Sequence, residues 1–171
     1  MVLLYPDELI YAYLRALYTP YRTALPDPTV LPDEADILWN EFAGGVKDIA
    51  FIVAEDYQQP QRFNLGASSN NWLASSTVYV MHLWTNDGKP PYLKEFSKFL
   101  EKYLVIRGGA PDGLKSQGLD DLKVTQFSLM QGLSNFHGYG TFSNIQNPET
   151  DWWVLSVNVQ TKYLEPANVS P

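Results

Sequence analysis

The chain has 171 residues, of which 45% are hydrophobic and 14% aromatic, contains no cysteine, and carries a formal net charge of −7. This length and composition are typical of one globular domain with a sizeable core, exclude intrinsic disorder, and leave no residue for disulfides, thiolate metal sites or cysteine nucleophiles. The negative charge disfavours direct binding to nucleic acid or to an anionic membrane surface, since both attract basic proteins.

The excess negative charge lies entirely in the first third of the chain. Residues 1–56 carry ten acidic and three basic side chains, whereas residues 57–171 carry nine of each. The first ten residues lack a basic start, and the longest apolar run, residues 49–54, is far shorter than a membrane span. We therefore expect neither an export signal nor a transmembrane segment.

Apolar residues spaced three and four positions apart predict a helix near the N-terminus. Pro6 opens this helix, and Asp7 and Glu8 place carboxylates at the positive end of its dipole. Proline lacks an amide hydrogen and clashes with the preceding turn, so we expect Pro20 to end the helix.

Residues 21–47 are predicted to form an extended connector inside the domain. Pro26, Pro28 and Pro32 disfavour a regular helix or strand in this segment. The pattern of residues 38–42 fits either one turn of helix or a short extended piece. We expect no domain boundary here.

Two strands follow the connector. Residues 48–55 form a short apolar run, which predicts a strand buried on both sides. Residues 72–84 carry β-branched and aromatic side chains on both faces, which predicts a long central strand with a partner on each side. The loop between the two strands is too long for a tight hairpin, so we expect it to project.

A second helix is predicted after the central strand. Leu93, Phe96, Leu100 and Leu104 form one apolar stripe at helical spacing, and charged residues lie off that stripe. We therefore expect an amphipathic helix that packs on the sheet.

Two more strands complete the predicted sheet. Residues 110–122 are predicted to be a polar loop, residues 123–130 a third strand, and residues 151–162 a half-buried strand in which apolar and polar side chains alternate. Residues 165–171 are expected to form a loose tail.

These elements predict an α+β fold. It consists of a single mixed, mostly antiparallel sheet of four to five strands packed by two helices, in the order helix, strand, strand, helix, strand, strand. One domain spans residues 1–171.

The sequence offers few groups for chemistry. His82 lies inside the central strand, where a core histidine is the ordinary role, and His137 lies in a glycine- and aromatic-rich stretch. The sequence contains no metal-ligand spacing, phosphate-binding loop or nucleophile elbow. We therefore assign no catalytic, cofactor-binding or metal residue, and expect a protein that is not an enzyme and needs no cofactor.

Three parts of the chain carry a family resemblance. The first is the N-terminal helix with its proline-rich connector and the strand DIAFIVAE. The second is QRFNL at 61–65, which leads into the strand TVYVMHLW and the helix YLKEFSKFLEKYL. The third is GLSNF at 132–136, the turn at 147–150 and the closing strand WWVLSVNVQTK. Together they resemble the tail terminator proteins of long-tailed phages, in the broad group that includes minor capsid and tail-completion proteins.

The resemblance covers nearly the whole chain and implies a structural virion protein. Such a protein forms a ring, expected to be a hexamer, that caps the finished tail tube and joins it to the head connector. The implied partners are further copies of the chain, the tail tube protein and the connector or stopper protein. The ring would be assembled in the host cytoplasm and reside in the tail neck, close to genomic DNA without specific binding and without membrane contact.

Other interpretations remain open at the level of the sequence. A head-completion or stopper ring of the same neck region would share the architecture. A small-molecule binding module would require a deep apolar pocket, and a hydrolase would require a carboxylate brought next to His137 by folding.

The projecting loop is the predicted contact between subunits. It carries Phe63 and Leu65 outside the alternating core, and Arg62 is expected to pair with an acidic residue in the first third of the neighbouring subunit. The residues predicted to contact a neighbouring subunit or another partner are Arg62, Phe63, Asn64, Leu65, Phe136 and Tyr139.

The carboxylates Asp33, Glu34 and Asp36 have two interpretations. The simpler is a solvated loop. In a ring of the implied kind they would face the DNA channel, where like charge would let the genome slide past.

Overall fold

The computed structural model describes residues 5–39, 48–55, 61–62, 70–83, 91–104, 112–115, 119–131 and 152–165. The helices in these ranges are α1 (Pro6–Thr23), α2 (Pro91–Leu104) and α3 (Asp112–Lys115). The strands are β1 (Ile37–Trp39), β2 (Ile49–Glu55), β3 (Gln61–Arg62), β4 (Asn70–Leu83), β5 (Leu119–Gln131) and β6 (Trp152–Glu165). The helices and the single mixed sheet confirm the predicted α+β fold.

The strands follow the spatial order β1-β2-β4-β6-β5, and β3 pairs with β4 on the side that faces β2. Only the β1–β2 pairing is parallel among the strand pairs of the described residues. The 14-residue strand β4 lies between β2 and β6. This arrangement confirms the prediction of a long central strand with a partner on each side.

The main core lies between the helices and one face of the sheet. On the sheet side it contains Phe51, Val53, Val78, Val80, Leu155, Val157 and Val159, and on the helix side Ile10, Leu14, Tyr18, Leu93, Phe96, Phe99, Leu100, Leu104 and Leu114. The predicted apolar stripe of α2 therefore faces the sheet, as expected. Within this core the ring of Tyr18 stacks on that of Phe96, with centroids 5.6 Å apart.

The opposite face of β2, β4 and β6 is also buried at one end of the sheet. Its buried residues are Ala50, Ile52, Tyr79, Met81 and Val154. Since adjacent residues of a strand point to opposite faces, both faces of β2 are apolar. The prediction that this strand is buried on both sides is confirmed.

Helix α1 continues beyond Pro20 to Thr23, so the prediction that Pro20 ends the helix is wrong. A proline inside a helix costs about 3 kcal/mol because it removes one hydrogen bond and crowds the preceding turn. The residues after it pack well, since the ring of Tyr21 lies 5.2 Å from that of Phe99 on α2. Local propensity is therefore overridden by tertiary packing.

The boundaries of three other segments differ from the sequence-based expectation. The connector contains two 3₁₀ turns, Pro28–Val30 and Glu34–Asp36, followed by β1, so residues 38–39 are extended. The rest of the open segment 38–42, and of the predicted connector up to residue 47, lies outside the described residues. Strand β5 begins at Leu119, inside the predicted loop. Strand β6 continues to Glu165, and the rest of the predicted tail lies outside the described residues.

None of the helices in the described ranges is long and apolar enough to cross a membrane.

Candidate interaction surface

The predicted subunit contact falls mostly on residues that the structure does not describe. The backbone of Arg62 lies in β3, directly opposite Trp72 of β4. The side chain of Arg62 and the whole of Phe63, Asn64, Leu65, Phe136 and Tyr139 lie outside the described residues, as does His137. The contact itself therefore stays a prediction.

The strands on either side of that loop are well defined. β3 and β4 are antiparallel, and Arg62 pairs with Trp72. Residues 63–69 connect the two strands along the chain, and β4 begins at Asn70. Asn70 in β4 also lies opposite Glu165, the last residue of β6. The predicted loop therefore starts and ends at the edge of the sheet that carries β3, at the end where β6 also finishes.

Glu34 is held by side chains of α1. Its carboxylate accepts hydrogen bonds from Thr19 Oγ1 at 2.6 Å and from Arg15 Nε at 3.2 Å. The hydrogen bond from the Thr19 hydroxyl is the main cause that lowers the pKa of Glu34; burial offsets it in part, and the Arg15 guanidinium lowers it further. Glu34 therefore links the connector to α1 and stays charged well below neutral pH.

Asp33 makes a second link to the same helix. Its carboxylate lies 3.4 Å from Arg22 Nη2, and Arg22 Nε donates to the carbonyl oxygen of Leu31 at 3.1 Å. The buried ring of Tyr18 adds a third link, since its hydroxyl donates to the carbonyl oxygen of Pro32 at 2.7 Å. The connector is therefore fixed along α1.

Asp36 differs from the other two predicted channel-facing carboxylates. Its side chain is exposed, and no ion pair of Asp36 is found within the described ranges. Of the three carboxylates, two are thus occupied by arginines of the same chain. Only Asp36 presents a charge that is not already compensated by a described cation.

A cluster of Tyr11, Arg15 and Trp39 was missed from the sequence; Arg15 is exposed, Tyr11 is half-buried and Trp39 belongs to the buried core. The Arg15 guanidinium lies 5.9 Å from the Tyr11 ring centroid and 5.7 Å from that of Trp39, and its Nη1 donates to the Tyr11 hydroxyl at 2.6 Å. Arginine and aromatic side chains together are enriched where proteins bind each other. The spacing of four residues between Tyr11 and Arg15 was the available signal, but the position of Trp39 depends on β1.

A second aromatic and cationic group lies where α1 meets α2. The Lys102 ammonium is 5.4 Å from the Tyr21 ring centroid and 5.3 Å from that of Tyr103. The two tyrosine rings meet edge to face at 6.0 Å. This group covers the helix contact from the outside.

His82 is buried at one end of β4, as expected for a core histidine. It lies opposite Ile49 of β2 and Trp153 of β6, and its ring meets that of Tyr92 edge to face at 4.9 Å. Within the described part of the chain, His82 Nδ1 and Trp153 Nε1 are buried without a hydrogen-bond partner. Burial lowers the pKa of His82, and the nearby Asp48 carboxylate only partly offsets this effect.

Tyr92 responds to the same surroundings. Burial and the negative charge of Asp48 raise its pKa to about 12, so its hydroxyl stays protonated at neutral pH. The neutral imidazole of His82 and the neutral phenol of Tyr92 both suit a packed core. In the described ranges no group of three histidine, aspartate or glutamate side chains is placed to hold a metal ion.

No family of known proteins matches this chain, and no curated protein matches it either.

Proposed function

We propose that this protein is a structural subunit of a phage tail, a tail terminator that forms a six-membered ring between the tail tube and the head connector. The proposal assigns no catalytic step and no cofactor to the chain. Its role would be to close the tube and to hold the neighbouring ring through protein contacts.

The order of the elements is the observation that carries the proposal. A helix and proline-rich connector precede β2, the long aromatic and β-branched strand β4 leads into helix α2, and the 14-residue strand β6 closes the fold beside β4. This is the order on which the resemblance to tail terminators rests. The α+β layout itself is compatible with many functions, so the proposal depends on the combination with the local stretches.

The edge of the sheet that carries β3 supports a head-to-tail contact. A ring closes when one surface of each subunit binds a different surface of the next. Residues 63–71 lie in the chain between Arg62 and Trp72, which pair at this edge. The exposed Arg15 and the half-buried Tyr11 offer the kind of side chains that such a contact favours on the receiving subunit.

A replacement of residues 63–71 by Asn-Gly tests the contact. This change leaves Arg62 and Trp72 as the closing pair of a two-residue turn, which is the connection that Asn-Gly favours. It also removes Asn70 and Asn71, which pair only with the last two residues of β6, so the rest of the sheet should still form. We expect a folded protein that no longer forms rings and does not complete tails. Circular dichroism checks the fold, and particle mass and tail length check assembly.

A matched variant keeps the loop length and changes only Phe63→Ser and Leu65→Ser. We expect it to lose ring formation as well, since these apolar side chains are the proposed contact. If both variants still form rings and complete tails as the unmodified protein does, the contact is elsewhere and this part of the proposal fails.

The channel-facing carboxylate is tested at Asp36 alone. Changing Asp33 or Glu34 to lysine would also break their links to Arg22 and Arg15, whereas Asp36 has no such described partner. Asp36→Lys should slow the release of DNA through the neck, because a lysine attracts the phosphates that an aspartate repels. Glu101→Lys, an exposed change of the same charge on α2, serves as the control. Equal release rates in both variants would contradict a channel position for Asp36.

A further inference from the structure

Strand β5 forms one edge of the sheet. It pairs with β6 on one side, and no strand in the described ranges lies on its other side. With 13 residues it is a long edge. Edge strands of this length expose a row of backbone amide and carbonyl groups that can pair with another chain.

The two halves of β5 differ in how well they resist such pairing. Register shifts lie between Leu119 and Asp121 and between Val124 and Gln126, and irregularities of this kind turn an edge away from a partner. From Gln126 to Gln131 the register with β6 is regular. This half has the sequence QFSLMQ, which contains no charge, proline or glycine. It therefore lacks the usual features that prevent pairing at an edge.

Exposure singles out the same half. Leu129 is 38% exposed, which is unusual for a leucine in a strand of this sheet, and Phe127 beside it is only partly buried. Leu129 lies opposite Leu155 and Phe127 opposite Val157, so both point to the face that packs against the helices. An apolar pair thus lies at the rim of the core, beside a strand edge that no other strand of the described ranges pairs with.

We propose that this edge pairs with the same edge of a second copy of the chain, antiparallel and about a twofold axis at Ser128. In that register Phe127 lies opposite Leu129 of the second copy, and the same contact occurs twice. Opposite residues in antiparallel strands share a face, so the four apolar side chains extend the core face across the contact. The two Ser128 side chains meet on the other face, and no like charges are brought together.

The second copy is favoured over an unrelated peptide because the edge complements itself. In a pairing about Ser128, the apolar side chains of the regular half on the core face, Phe127 and Leu129, lie opposite each other in the two copies. The paired stretch ends at Gln126, where the register shift begins. The contact does not depend on the proposed function, because β5 lies at the edge of the sheet opposite to β3 and its loop. A twofold pair uses one surface twice, whereas a ring uses two different surfaces, so each contact can be tested without the other.

Single cysteines test the pairing without background, because the chain has no cysteine of its own. In Ser128→Cys the two cysteines would be direct neighbours across the contact, about 4.5–5.5 Å apart at Cα, which suits a disulfide. In Gln126→Cys, the matched control on the same face, they would lie about 14 Å apart, which is too far. Under mild oxidation we expect Ser128→Cys to form a linked dimer roughly a hundredfold faster than Gln126→Cys, since only the former has its partner held close.

Equal rates for the two cysteine variants, or no linked dimer from Ser128→Cys, would overturn the proposal. A second measurement does not rely on oxidation. Leu129→Lys places like charges in the contact and should reduce the mass of the free protein from two chains to one, whereas the exposed helix change Ala16→Lys should not. A dimer that persists in Leu129→Lys would also overturn it. Replacing residues 63–71 should abolish rings without changing the cysteine cross-linking or the mass of the free dimer. The failure of the ring proposal and the failure of the β5 proposal can therefore be told apart.

Discussion

His82 shows how one buried polar side chain can make the stability of the fold depend on pH. Its imidazole is buried against the ring of Tyr92, and its Nδ1 has no hydrogen-bond partner within the described ranges. Placing a charge there is unfavourable because the site is poorly solvated, and Asp48 compensates only in part. The neutral imidazole is therefore the form that the folded protein accepts.

The free energy of unfolding should fall as pH drops below 6.5, the ordinary pKa of histidine. Because the pKa of His82 is lower in the folded state, the unfolded chain binds the proton first as the pH falls. The stability that the neutral His82 contributes is therefore complete above pH 6.5 and is lost as the pH falls towards its lowered folded-state pKa. His82→Gln should flatten this slope between about pH 5 and 7, the range in which histidine titrates. Chemical denaturation at several pH values measures it.

The burial of Asp7, which raises its pKa, acts in the opposite direction. This effect of Asp7 is the same in the unmodified protein and in the His82→Gln variant, so it cancels when their pH slopes are compared. Identical slopes for the two proteins would mean that His82 is already protonated in the folded state or is solvated there.

At the scale of elements, α2 is the main cover of the sheet. Its residues Leu93, Phe96, Phe99 and Leu100 are all at most 1% exposed, and they pack with Tyr18 of α1 against the central strands. The stacked and edge-to-face rings of Tyr18, Phe96 and Phe99 tie the two helices together. Loss of one of these side chains should leave a cavity that the rigid sheet cannot close.

Leu100→Ala should lower the free energy of unfolding by about 2–5 kcal/mol, the range for fully buried leucines. Lys94→Ala, an exposed change in the same helix, should stay within about 0.5 kcal/mol. Urea denaturation of both variants gives the comparison. A loss below that smaller value for Leu100→Ala would be incompatible with its complete burial.

Element types could be predicted from the sequence where a strong periodicity covers many residues, as in α2, β4 and β6. The end of α1 could not, because the packing of Tyr21 on Phe99 outweighs the local effect of Pro20. Strand β1 could not either, since its three residues are strand only through pairing with β2. The start of β5 could not be predicted either, because the polar character of residues 110–122 favoured a loop, although Asp120 and Asp121 lie in the strand.

The candidate surface could be predicted only in part, for a related reason. The carboxylates of Asp33 and Glu34 are visible in the sequence, but their partners Arg22 and Arg15 become neighbours only when the connector folds back along α1. Residue composition alone could not show that these two charges are compensated.

At the scale of the whole molecule, two different contacts are proposed at opposite edges of one sheet. The β3 edge with residues 63–71 would join subunits head to tail, and the regular half of β5 would join two free copies about a twofold axis. The first contact can build a closed ring, and the second cannot extend beyond a pair. The protein therefore should exist in two assembled forms that respond to different mutations.

The mass of the full chain in solution, followed over a wide range of concentration, tests the ring most directly. The account predicts a species of about 116 kDa, six times the chain mass of 19.4 kDa, that disappears when residues 63–71 are replaced by Asn-Gly and persists in Leu129→Lys. A protein that never exceeds two chains at any concentration, or a six-chain species that survives the loop replacement, would contradict it.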